Sequence, residues 1–181
     1  GNPFFVEQSA RLWHSGGSAT AVSPGVRDAL RRRLAMLPPG VADLLTAAAV
    51  LGREFHRQVL AATAPAPAAH VDRLLDQAVT ARLAVVLGAG RFAFVHDLVR
   101  ETLYDGLDAD DVRRRHADVV RALDRTPGLA GRILPADTAR HAYLAGADLP
   151  TDRVIDLLLA ASQDADNRMA TEEGVGHLRR A

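Results

Sequence analysis

The stretch Arg91-Phe92-Ala93-Phe94-Val95-His96-Asp97-Leu98-Val99-Arg100-Glu101-Thr102-Leu103-Tyr104 constrains the fold more than any other. Phe92 and Phe94 alternate with small or charged neighbours, the period of a half-buried strand. From Val95 onward, Leu98, Val99, Thr102 and Leu103 recur at helical intervals. The chain must therefore turn from strand to helix at His96-Asp97. An Asp at that point can accept from the unpaired backbone N–H groups of a helix start and favours the positive end of its dipole, so the plain structural reading is that Asp97 caps and His96 packs.

What surrounds this corner is mostly helical. Of the 181 residues 48% are apolar but only 4% are aromatic, so a core must be assembled from Leu, Val and Ala, a composition that favours packed helices over extensive sheet. A chain of this length is one large or two small domains. Residues 3–13 are expected to form a short amphipathic helix with Phe4, Phe5, Leu12 and Trp13, and 14–20 a Gly/Ser linker at a domain boundary. Ser23-Pro24 supplies an N-cap and a first-turn proline for a helix whose apolar face is Val26, Leu30, Leu34 and Leu37, stopped by Pro38-Pro39-Gly40. Val41–Leu51 reads as a buried helix closed by Gly52, the expected centre of the core, and Arg53–Thr63 as a short helix broken by Ala64-Pro65-Ala66-Pro67.

A fourth helix repeats Val71, Leu74, Leu75, Ala78 and Val79. Leu83–Leu87 follows as a strand, and Gly88-Ala89-Gly90 turns it back into Arg91–Val95 as a hairpin. Helices closed by such a hairpin make a winged-helix pattern. Beyond the corner helix, Asp108–Asp111 starts a helix with Val112, His116, Val119, Val120 and Leu123 inward, ended by Thr126-Pro127-Gly128. Asp137–Leu144 and Asp152–Met169 form an antiparallel pair joined through Gly146 and Pro150, and Thr171–Arg180 begins another helix. The expected fold is mainly α: an end piece and linker over 1–20, a winged-helix domain with a small β-hairpin over 21–107, and helical pairs over 108–181 that resemble tetratricopeptide-like arrays without a measurable period.

Val95-His96-Asp97-Leu98-Val99-Arg100 resembles the His-Asp motif of the winged-helix domain in STAND-class signalling ATPases, the group that includes NB-ARC switches and large ATP-binding LuxR-type regulators. Gly1-Asn2-Pro3-Phe4-Phe5-Val6-Glu7 resembles the Gly-x-Pro segment of the ATPase lid in the same group, and the two stand in the family's order. The resemblance implies that Pro3 touches the base of a bound nucleotide, that His96 faces the β-phosphate of ADP and holds the off state, and that Asp97 holds the His loop and caps its helix. It implies ATP or ADP in a longer parent chain, the ATPase core of that chain as an intramolecular partner, and protein partners along the helical array. Opening inside a family motif and ending on Leu178-Arg179-Arg180-Ala181, the chain is expected to be a piece of such a parent, with the composition of a high-GC bacterial gene.

Other chemistries fare worse. There is no Lys, so the Gly-x-x-x-x-Gly-Lys-Ser/Thr cradle of a P-loop is impossible, and Gly88-x-Gly90 is a hairpin turn with no helix behind it. With no Cys there is neither a disulfide framework nor a thiolate metal site. His-Asp is also the metal pair of HD-type phosphohydrolases, with His70, His116 and His141 available as further ligands, but that family carries the pair on helices and no metal-ligand spacing appears here. A DNA-binding winged helix would present His70–Thr80, where Asp72 and Asp76 oppose Arg73, and a formal net charge of zero gives no overall attraction to phosphates. Arg31-Arg32-Arg33 fans around its helix as a solvated surface. No segment has the ~20 apolar residues of a membrane helix, nor does a basic region precede an apolar run at the start, so a cytoplasmic, non-enzymatic, cofactor-free fragment is expected.

Overall fold

In a computed structural model, the described residues are 24–64 and 66–167, with Gly176 and Arg180 beyond them. Pro3, the 3–13 helix, the 14–20 linker, the Ser23 cap and Met169 lie outside these, as does most of the helix expected over 171–180. Helices α1 (Pro24–Ala35) and α2 (Pro39–Leu51) come first, followed by β1 (Glu54–His56), α3 (Arg57–Thr63) and α4 (Ala68–Thr80). Strands β2 (Ala84–Gly88) and β3 (Arg91–Phe94) then form the hairpin, and α5 (Asp97–Tyr104), α6 (Ala109–Arg125), α7 (Pro135–Ala145) and α8 (Thr151–Asn167) complete the described chain. It is mainly helical with one three-stranded antiparallel sheet in the order β1-β3-β2.

Helix α2 is the axis of the core. Pro39 starts it, since proline's fixed φ suits the first turn and its missing N–H would have had no partner there. Val41, Leu44, Leu45, Ala48, Ala49, Val50 and Leu51 are buried, while Ala42, Asp43, Thr46 and Ala47 leave one face partly open. Val26, Leu30 and Leu34 of α1, Val59 and Leu60 of α3, Val71 and Leu75 of α4 and Leu98 and Val99 of α5 join it in one cluster. Val119 of α6 and Leu129 of the 3-10 turn Pro127–Arg132 belong to that same cluster, so the main core continues past residue 107.

The strand at Glu54–His56 corrects the expectation of one helix over Arg53–Thr63. Phe55 faces Phe92 across an antiparallel ladder, with ring centroids 6.0 Å apart, and lies 5.7 Å from the Phe94 ring. Tertiary pairing and the aromatic contact override local helix propensity here, and three residues are too few to display a period. The helix begins only at Arg57, with the His56 side chain accepting from Gln58 N at its start.

In the last third, packing depends on small residues. Ala117, Val120, Ala142, Ala145 and Leu149 form one cluster between α6 and α7, and Ala139, Leu158 and Ala161 a second between α7 and α8. Alanine contacts let helix backbones approach closely while each buries little area. None of the described helices is long and apolar enough to cross a membrane.

Candidate functional site at the strand-to-helix corner

Strand β3 ends at Phe94 and α5 starts at Asp97, so the corner lies at His96 as the residue pattern predicts. The cap assignment is different. His96 itself occupies the N-cap position in extended conformation (φ −142°, ψ 142°) and makes no side-chain capping bond, while Asp97 is the first helical residue. Asp97 Oδ1 instead lies 3.2 Å from Arg53 Nε, an ion pair tying the start of α5 to the segment between α2 and β1. As an acid in the first turn Asp97 still complements the helix dipole, so its expected electrostatic role holds and its expected capping bond does not. Arg53 had no signal in the sequence, because its partner is more than forty positions away and no local pattern joins them.

Asp97 lines an open cleft of about 550 Å³ together with Arg53, Glu54, Arg100, Glu101, Asp137 and Arg140, floored by Leu51 and Gly52. His96 is half-buried beside it and is not among the lining residues. The cleft lies between the sheet-bearing body and α7, and its four carboxylates outnumber its three guanidinium groups. It therefore offers phosphates no net positive field of its own.

The other candidate histidines are placed elsewhere. His70 Nδ1 lies 3.2 Å from Arg73 Nη2 on the exposed side of α4. His116 and His141 are fully buried and meet each other, Nδ1 to Nδ1, at 2.7 Å. Burial, followed by the nearby Arg140 charge, pushes the His116 pKa down to about 4, and the same causes in the same order, with the His116 charge next, hold His141 well below its usual value. Among the described residues no group of three or more His, Asp or Glu is gathered that could hold a metal, so the ligands proposed for an HD-type site are not brought to His96-Asp97.

On α4, the helix a DNA-binding reading would present, Asp72 is engaged by Arg57 from α3, and Arg91 beside the hairpin turn is bound to Glu54 at 2.9 Å. Two cations near the would-be DNA face are thus already neutralised by carboxylates. Comparison with protein-family models, with curated proteins and with solved structures returns no match for this chain.

Proposed function

We propose that this chain is a non-catalytic regulatory module in which the His96-Asp97 corner senses the nucleotide state of a P-loop ATPase core in the same polypeptide. The observation that carries the reading is the corner itself: a short helix whose N-cap is a histidine, delivered by the central strand of a small sheet, with the Arg53–Asp97 pair beside it lining an open cleft. The order helix, strand, helix, helix, hairpin from α2 to β3 supports a winged-helix domain, and the alanine-lined α6, α7 and α8 support a tetratricopeptide-like array that binds protein partners. A STAND-class, LuxR-type regulator of the bacterial cytoplasm is the parent that this arrangement and the His-Asp resemblance favour together.

The residues fit a nucleotide as one edge of its site. An imidazole at a helix start can donate to a phosphate oxygen, whereas the acid-rich cleft lacks the cations to hold one unaided. His96 would supply a charge-assisted hydrogen bond only when the winged helix is docked on the core, which biases the closed state. Pro3 would touch the base on the same resemblance. Buried Leu98 and Val99 hold α5 in the main core, with the exposed Arg53–Asp97 pair beside its start, so the position of the His96 backbone follows the body of the domain.

The test has two arms. The isolated chain should give a flat calorimetric titration with ADP and no ATP turnover above a buffer blank; micromolar binding or turnover would reinstate an enzyme. In the parent, His96→Ala should raise basal output while barely moving the melting temperature of the isolated chain. A silent parent together with a chain that melts several degrees lower would make His96 a packing residue.

A further inference from the structure

Helix α5 begins beside His96 and ends at Tyr104, whose hydroxyl lies 2.9 Å from His116 Nε2 on α6. His116 Nδ1 then meets His141 Nδ1 on α7 at 2.7 Å, with the rings fully buried and their centroids 4.9 Å apart. The Leu51 carbonyl, at the end of α2, faces the His141 ring and accepts from Arg140 Nη2 at 3.1 Å. One polar chain thus touches α5, α6, α7 and α2.

Two neutral imidazoles in contact through nitrogen need one N–H and one bare nitrogen, which allows two orders. If His116 Nδ1 donates, its Nε2 is bare and takes the Tyr104 hydroxyl proton, and His141 carries its proton on Nε2, toward the side where Leu51 offers an acceptor. In the reverse order His141 Nε2 is a bare acceptor facing another acceptor. That atom is buried and makes no hydrogen bond of ordinary geometry, so an added lone-pair repulsion there has nothing to relieve it. The first order is the stable one, and in it the Tyr104 hydroxyl donates to His116 Nε2.

We propose that the Tyr104–His116–His141 chain is a latch that locks the α7–α8 pair onto the sheet-bearing body. Leu98 and Val99 seat α5 in the main core, so Tyr104 is presented to His116 by the body itself. Losing the hydroxyl leaves His116 Nε2 without a partner in a buried site. The α7–α8 pair is then held to α6 by the imidazole pair, the Ala117, Val120, Ala142, Ala145 and Leu149 cluster and the exposed Arg121–Asp148 and Arg153–Asp124 contacts. The latch does not depend on a nucleotide meeting His96.

Hydrogen exchange on the full chain tests it through Tyr104→Phe, which keeps the ring and deletes only the hydroxyl. Amides of α7 and α8 should exchange faster by about tenfold or more while α2 and α4 keep their protection. Unchanged exchange in α7 and α8, or an even rise across α2, α4, α7 and α8, would overturn the latch. Imidazole nitrogen shifts of the wild-type chain give an independent reading that needs no variant. They should show His116 bare at Nε2 and His141 bare at Nδ1, and the opposite pattern refutes the proposal even if Tyr104→Phe fails to fold.

Discussion

Lowering the pH from 7.5 to 5.5 should destabilise this protein through the buried pair His116 and His141. Both have folded pKa values below the ordinary 6.5, His116 at about 4, because burial penalises the charged ring and Arg140 adds a repelling charge. The titratable and charged groups facing the pair are Tyr104 from α5 and Arg140 from α7. In the window between about 4 and 6.5 the unfolded chain binds protons that the folded chain refuses, so stability rises with pH there. The full contribution is present above the unfolded value and is lost as pH falls toward the folded one. At pH 5.5 an unfolded imidazole of ordinary pKa gains about 1.4 kcal/mol from protonation, so the pair should lose about 3 kcal/mol in all. His56, whose pKa is also lowered by burial first and by Arg132 next, adds a smaller change of the same sign. Urea unfolding at a series of pH values measures this, and His141→Gln should lower the slope by about one proton whatever it does to absolute stability. A wild-type stability that is flat from pH 7.5 to 5.5 would mean that the folded pair binds as many protons as two unfolded imidazoles, and would refute the reasoning; a single shared proton would only about halve the loss.

Other substitutions separate core, turn and surface. Gly90 has φ of 77° and an added Cβ would lie 3.0 Å from His56 Nε2, whereas Gly88 at φ 92° has open space around it. Gly90→Ala should therefore cost about 1–3 kcal/mol and more than Gly88→Ala, and equal losses in denaturant titrations would contradict the contact. Leu45→Ala, at a fully buried position in α2, should cost about 2–5 kcal/mol in the same assay. Arg53→Ala breaks an exposed pair and should cost no more than about 1 kcal/mol, so a large loss would show that the α5 start depends on it structurally.

Elements with a long periodic signature were legible in the residues. The α2 core, the α4 apolar face, the hairpin and the change of period at His96 all follow from local patterns, because each is set by neighbours within one element. What failed to show was set by distant partners. Glu54–His56 becomes a strand only because β3 offers Phe92 and Phe94 to pair with Phe55, and Asp97 turns to Arg53 rather than to its own helix N–H groups. His116 was legible as an inward residue of α6, and His141 only as a spare ligand. Their mutual contact joins helices 25 positions apart and has no trace in spacing.

The sensing role proposed for His96 is tested most directly by the ADP dissociation constant of a polypeptide that joins this chain to the proposed ATPase core, measured for the wild type and for His96→Ala. A hydrogen bond to the β-phosphate formed only in the docked state contributes roughly 1.5–3 kcal/mol, so the variant should bind ADP about 10–100-fold more weakly. Equal dissociation constants would contradict the account, since a histidine that merely fills the corner has no means of distinguishing a bound nucleotide from an empty site.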